Sequence, residues 1–402
     1  MLTHTRPIPG NLASCGIRTL AVHAGQHPDP GSGAIATPVV STSSFAFDDF
    51  DAGAARFAGA EPGYLYSRFA NPTVAVFERK MAALEGGDQA IAFSSGMAAI
   101  CATLLAVLKA GDEVVYVGTL YGGTDGVMRQ MLPRLGIRAV HASAVEDIPG
   151  CVNERTRAVY VETPSNPTLG ICDLAKVAAL TKPRGLISIA DNTFATPVLT
   201  RPIGLGIDVV VHSATKYIGG HGDATGGVAV AGLSHANAIR KTGMKELGGC
   251  MSPHDAALFI RGLKTLPLRM AASCDNAQMI AEALRRHPAV AKVHYPGLPE
   301  HPGHDIAVRQ MRRFGGILSL ELAGGQPAAR VFLDKLKLVT QAVSVGDTDS
   351  LACHPASTTH SAVDPAARLA GGVTPGLVRM SLGIEDGDDL QRDVIAALED
   401  AS

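Results

Sequence analysis

The run HSATKYIGGHGD at 212–223 directly follows the apolar stretch Asp208–Val211. Lys216 therefore lies just past the end of a candidate buried strand, between small hydroxyl residues and a turn rich in Gly and His. An ammonium group there is costly to desolvate unless it is paired or used chemically. Taken alone, it reads as a surface charge at a turn, a phosphate ligand or a nucleophile. Other candidate strand ends narrow the choice. Ser94-Ser95-Gly96-Met97 follows Ala90–Phe93 and opens a helix, and the free amides of such a terminus bind anions. The spacing matches neither the dinucleotide GxGxxG nor the P-loop, and a plain Ser cap is the alternative. Tyr121 precedes Gly122-Gly123 after Glu113–Val117, where its ring could lie flat on a ligand or simply pack. Glu162 and Asp191 end two further apolar runs. A buried carboxylate needs a cation or donors, and capping a turn is the bland reading of Asp191.

Together these residues match what pyridoxal phosphate (PLP) requires. Lys216 would hold it covalently. Asp191 would keep the pyridine nitrogen protonated, so that the ring serves as an electron sink. Tyr121 would stack on the ring. The phosphate would rest on the Gly96 and Met97 amides with Ser213 and Thr215.

The elements that must position these groups alternate. Strand-like runs at Ala90–Phe93, Glu113–Val117, Ala158–Glu162, Leu186–Ala190 and Asp208–Val211 are separated by helical patterns, among them Pro72–Leu84, Gly96–Lys109 and Leu174–Thr181. Such alternation gives an α/β fold with a mostly parallel sheet flanked by helices, and ligands bind beyond the carboxyl ends of its strands. Residues 1–64 are rich in Gly, Pro, Ser and Thr and read as an N-terminal arm and intersubunit segment, because a monomer gains little from so long an irregular stretch. Residues 65–260 read as the cofactor-binding domain. Past Pro253 the texture changes: two long helical patterns, Ser252–Leu268 and Arg269–Arg286, then strand-like Ile317–Leu322 and Leu377–Leu382 and a closing helix at Asp388–Glu399. This makes 261–402 a smaller C-terminal α+β domain.

The composition excludes several classes. Hydrophobic residues make up 46% and the net charge is −2, which suits a large core and argues against nucleic acid or an anionic membrane as partner. No apolar run reaches membrane-spanning length. The seven scattered cysteines lack CxxC spacing, and the N-terminus lacks a secretory apolar segment, so the expected compartment is the cytoplasm, with reduced thiols. No metal is expected: the fourteen histidines include His301/His304 and His354/His360, but no HExxH-type helix supports them. A nicotinamide dehydrogenase would need a Gly-rich turn after the first strand, which is missing.

The motifs YLYSRFANPT (64–73), SSGMA (94–98), LYGGT (120–124), ETPSNP (162–167), DNTF (191–194), DVVVHSATKYIGGHG (208–222) and LVRMSLGIED (377–386) resemble, in order, the Cys/Met-metabolism family of PLP enzymes. That family contains methionine γ-lyase, cystathionine γ-lyase and γ-synthase, and the O-acylhomoserine sulfhydrylases. The resemblance runs from about residue 18 to the C-terminus. It implies PLP-dependent transferase fold type I (aspartate aminotransferase-like) and a homotetramer of two tight dimers with shared active sites, acting on a small amino-acid substrate. It matches Lys216 to the covalent lysine, Asp191 to the ring-nitrogen partner, and Tyr121 to the stacking tyrosine that is also the acid toward the leaving group. Gly96, Met97, Ser213 and Thr215 match phosphate positions. Tyr66 and Arg68 match a pair that reaches the phosphate of the adjacent subunit. Arg379 matches the arginine that binds the substrate carboxylate, with Ser344 and Asn166 in support.

Substrate choice falls on a few positions. Cystathionine enzymes usually carry a glutamate before the serine equivalent to Ser344, and this chain has Val343. Val343, SPHDAAL (252–258) and HYPGL (294–298) resemble methionine γ-lyase. Gly123 departs from that enzyme's cysteine and matches the cystathionine enzymes and sulfhydrylases. HPASTTH (354–360) resembles the O-acetylhomoserine sulfhydrylases, although their long insertion after the lysine motif is missing. The expected reaction is γ-elimination on methionine or homocysteine. O-acetyl- or O-succinylhomoserine sulfhydrylation and cystathionine chemistry are the alternatives.

Overall fold

The computed structural model describes residues 14–401 except 362 and 364. The first thirteen residues of the expected arm lie outside the described part. From residue 14 to 64 the chain is mostly irregular, broken by two short helices, Ile17–His23 and Phe50–Ala58.

The first sheet holds seven strands: β1 (Gln89–Phe93), β2 (Glu113–Val117), β3 (Arg138–Ala142), β4 (Thr156–Glu162), β5 (Ile187–Asp191), β6 (Val209–Ser213) and β7 (Gly227–Ala231). Their order is β1-β7-β6-β5-β4-β2-β3. β7 runs antiparallel to both its neighbours and the remaining pairs are parallel. All strands except β7 therefore point their carboxyl ends at one edge. The strands from β4 to β7 are buried along nearly their whole length, as a sheet covered on both faces requires. The sequence reading missed β3 and β7. β3 is partly exposed and polar enough to look like a loop, whereas GVAVA is short and follows a glycine run.

Local chemistry sets the flanking helices. Helix Pro72–Glu85 begins with the Asn71 side chain accepting the Thr73 and Val74 N–H groups and ends at Gly86, with φ +80°. Helix Gly96–Val107 is capped by Ser95, whose side chain accepts the Ala98 N–H.

One expectation is corrected. The two helical patterns after Pro253 form a single helix, Pro253–Leu284, with Pro267 inside it. Proline normally breaks a helix. Here buried Leu263, Leu266, Met270, Cys274 and Ala277 keep one face packed on both sides of it. This helix runs without interruption through residues 260 and 261.

The second sheet contains β8 (Val290–His294), β9 (Ile317–Leu322), β10 (Thr340–Gln341), β11 (Leu351–Cys353) and β12 (Leu377–Ser381), ordered β10-β11-β12-β9-β8. It is antiparallel except between β10 and β11. Helix Gly387–Asp400 closes it, burying Leu390, Val394, Ala397 and Leu398. No described helix is long and apolar enough to cross a membrane, and all seven cysteines are free thiols.

Candidate active site

At the carboxyl edge of the first sheet a cavity of ≈ 620 Å³ opens against the second sheet. Its walls include Gly96, Met97, Tyr121, Glu162, Asn166, Asp191, Ser213, Thr215, Lys216, Val343, Ser344 and Arg379. Most of the residues singled out in the sequence thus meet in one place although up to 283 positions separate them.

Lys216 leaves the end of β6 and its Nζ donates to Ser344 Oγ at 3.0 Å. Burial pulls the Lys216 pKa below the usual lysine value, the Arg379 charge adds to this, and Asp347 opposes it. The amine is therefore easier to deprotonate than a surface lysine. Ser344 itself has φ +99°, a conformation that costs a non-glycine residue roughly 1–3 kcal/mol and that often marks functional sites. The loop carrying Lys216 is pinned by buried Arg269, which donates to the Tyr217 carbonyl at 2.7 Å and the Gly262 carbonyl at 2.9 Å. Nothing in the sequence pointed to Arg269, because its helix lies outside the motif.

Asp191 is buried at the end of β5. Its carboxylate accepts the Thr193 N–H at 3.0 Å and the Tyr160 hydroxyl at 3.4 Å, and among the described ion pairs it has none. Burial raises its pKa, and the Thr193 contacts lower it. Tyr160 lies two residues before Glu162 on β4, so strand alternation puts both on one face. That period was the signal that could have found it.

Glu162, beside Asp191 in the β4–β5 register, accepts the Tyr121 N–H at 2.8 Å and the Asn166 N–H at 3.0 Å. Burial, with Asp191 next, pushes its pKa up to about 8 against those two donors. Across the cavity, β12 presents Arg379, only 4% exposed. Its Nη1 donates to Asn166 Oδ1 and its Nη2 to the Ser344 carbonyl, both at 2.9 Å. These acceptors are neutral, and Nε is buried with no partner among the described residues. Arg379 and Asp191 thus both line the cavity without an ion-pair partner among the described residues.

The first-turn amides of helix Gly96–Val107 form the third side. A Cβ on Gly96 would come within 2.7 Å of Ser213 Cβ, so the glycine is what lets the helix start against β6. The Thr215 hydroxyl is already engaged, donating to the Gly226 carbonyl at 3.3 Å and accepting the Gly226 N–H at 3.0 Å. Three expected residues lie off the cavity wall. Gly123 packs behind Tyr121, where a Cβ would meet the Tyr121 ring at 2.6 Å and the Met97 sulfur at 2.9 Å. Tyr66 is 43% exposed. Arg68 lies over the Phe69 ring, 4.5 Å from its centroid, and donates to the Met244 and Lys245 carbonyls. The histidines are engaged locally: His354 bonds Ser357 and the Pro375 carbonyl, and His304 the Pro296 carbonyl.

A ligand with an anionic group, a flat ring and a cationic ring nitrogen fits this cavity. The helix N-terminus could take the first, Tyr121 the second, and Asp191, a buried carboxylate with no ion pair among the described residues, the third. Residues 18–399 match the family model described as Cys/Met metabolism PLP-dependent enzyme. The chain belongs to that family.

Its similarity to individual members of the Cys/Met-metabolism family extends over nearly the full length. It is 47% identical to the L-methionine gamma-lyase of Fusobacterium nucleatum subsp. polymorphum, covering 96% of this chain and 98% of that protein. It is 43% identical to the cystathionine beta-lyase of Coxiella burnetii, covering 95% and 97%. Among solved structures, the cystathionine gamma synthase of Xanthomonas oryzae pv. oryzae, in complex with aminoacrylate and cysteine, superposes with a TM-score of 0.91. It is 40% identical, covering 96% of this chain and 98% of that one. The fold is therefore that of the PLP-dependent fold type I enzymes, and PLP is the cofactor.

Proposed function

We propose that this enzyme carries out γ-elimination on methionine or homocysteine, releasing 2-oxobutanoate, ammonia and a thiol. The observation that carries this reading is Val343. It sits at the cavity wall beside Ser344 and is 56% exposed, offering an apolar surface to a short thioether and no acid for a distal ammonium. The resemblance to L-methionine gamma-lyases supports it. A second reading rests on Gly123: without a side chain there, the Tyr121 ring occupies the space, as expected for the cystathionine and sulfhydrylase branches.

Bound PLP supplies an electron sink for negative charge at the substrate α-carbon. The chain's own groups do the rest. Asp191 holds a positive charge at the ring-nitrogen end. Lys216 would be the covalent anchor; once the substrate amine has displaced it, its neutral Nζ would take the α-proton, hand that proton back to the cofactor-bound substrate and, neutral again, take a β-proton, with Ser344 Oγ steadying that nitrogen between steps. Tyr121 delivers a proton to the departing sulfur. Arg379 binds the substrate carboxylate, and Asn166 and the Ser344 carbonyl fix its plane. Gly96, Met97, Ser213 and Thr215 would hold the phosphate.

The test is a substrate panel: methionine, homocysteine, cystathionine, and O-acetyl- and O-succinylhomoserine with sulfide. The expected result is the highest kcat/KM for thiol release from methionine or homocysteine. Faster sulfide incorporation into an O-acylhomoserine would replace this reading with the sulfhydrylase one.

The division into arm (1–64), cofactor domain (65–260) and C-terminal domain (261–402), the homotetramer and a cytoplasmic location are part of the same proposal. Exposed Phe50, Phe57 and Tyr66 near the arm suit burial by another copy. The free cysteines suit a reducing compartment. Tyr66 and Arg68 would serve a neighbour's phosphate. Arg68→Ala is then expected to weaken cofactor retention by roughly 10- to 100-fold, the worth of a charge-assisted hydrogen bond, although Arg68 does not line its own cavity. Cofactor content after dialysis checks this; full occupancy would remove Arg68 from the site.

A further inference from the structure

Glu162 is a buried acid that the chemistry above leaves unused. It ends β4, its side chain is in the cavity wall, and it is 6% exposed. Both oxygens are committed: Oε2 to the Tyr121 N–H at 2.8 Å and Oε1 to the Asn166 N–H at 3.0 Å. Asn166 Oδ1 in turn takes Arg379 Nη1 at 2.9 Å. One line of hydrogen bonds therefore runs from the loop after β2, through the end of β4, to β12 of the other sheet. Tyr121 is 45% exposed, and the Glu162 bond fixes its backbone where the ring must lie flat.

We propose that Glu162 is a positioning residue that holds the ring of Tyr121 and the guanidinium of Arg379 in register, joining the cofactor-facing and substrate-facing halves of the cavity. Only a carboxylate accepts N–H groups with both oxygens; glutamine would turn its NH₂ toward one of the two donors. The charged groups facing it are Asp191 on β5 and, through Asn166, Arg379; Tyr160 and Cys172 are the nearest neutral titratable groups. A cation on Asp191 relieves the repulsion between the two carboxylates and so favours the ionised, doubly accepting form of Glu162.

The inference rests on the roles proposed for Tyr121 and Arg379 and does not depend on which thiol leaves. Its test uses E162Q and E162D as holoenzymes. In E162Q the visible circular dichroism of the cofactor is expected to change while absorbance at the same wavelengths persists. KM is expected to rise several-fold and kcat to fall roughly tenfold or more. Adding Asn166→Ala to E162Q should cost less than it costs in the wild type, because the two residues act in one line. A purely structural role would give additive losses and an unchanged dichroism spectrum. Wild-type dichroism with kcat/KM within twofold would overturn the proposal.

If E162Q does not fold, E162D carries the test. A carboxylate drawn back by one methylene no longer reaches both donors, so wild-type behaviour in E162D would overturn it. Failure of both variants to fold would also count against it, by assigning Glu162 to folding. The dichroism is read without substrate, so a failed substrate panel with altered E162Q dichroism would overturn the thiol-release reading alone.

Discussion

Lys216→Ala is expected to remove the visible absorbance of the holoenzyme and to lower turnover by about 10⁴-fold or more, since it would delete both the proposed covalent anchor and the proposed proton carrier. The geometry makes the loss specific. Nζ has one hydrogen bond, to Ser344 Oγ at 3.0 Å, and it is partly buried beside Arg379, which helps depress its pKa. Among the described residues no other lysine lines the cavity, so none is placed to take over. The fold should survive, because Tyr217 and Arg269, rather than Lys216, tie this loop to helix Pro253–Leu284. An absorbance scan and an assay of released thiol check both parts. A variant that keeps the visible band and turns over normally would refute the assignment of Lys216.

The second large effect is expected at Arg379. Arg379→Lys should lower kcat/KM by roughly 100-fold, mainly through KM, while the visible absorbance remains. Lysine keeps the charge but loses the planar fork, and one lost hydrogen bond to a charged group costs about 1.5–3 kcal/mol. Here the fork is held by Asn166 Oδ1 and the Ser344 carbonyl. An ammonium cannot satisfy both acceptors and still face a carboxylate in one plane. Steady-state kinetics with the best substrate of the panel, together with a bound-cofactor spectrum, check this. A KM within twofold of wild type would take Arg379 out of carboxylate binding.

The legible parts of this molecule were those written in local chemistry. The Asn71 cap and the Gly86 stop marked helix Pro72–Glu85 to within one residue. Apolar runs marked the buried strands of the first sheet other than β7, because a sheet covered on both faces has no polar side. The strand-end residues Tyr121, Asp191, Ser213 and Lys216 stood out because polar groups at such places need a reason. The missed parts were those that long-range contacts decide. Pro267 reads as a break, yet packing on both sides carries the helix through it. Arg269 carries no local signal, yet it is buried and donates to the Tyr217 carbonyl.

By itself the sequence determined the α/β architecture and the cofactor, and it named most of the residues that the cavity brings together, since motif order and strand-end chemistry are local properties that a linear chain records. Only the tertiary structure decided how those residues meet. It set Glu162 beside Asp191, joined Tyr121 to Arg379 through Glu162 and Asn166, and put Gly123 behind the Tyr121 ring instead of on the cavity wall. These relations depend on strand register and on the docking of the second sheet against the first, which arise from the packing of residues hundreds of positions apart.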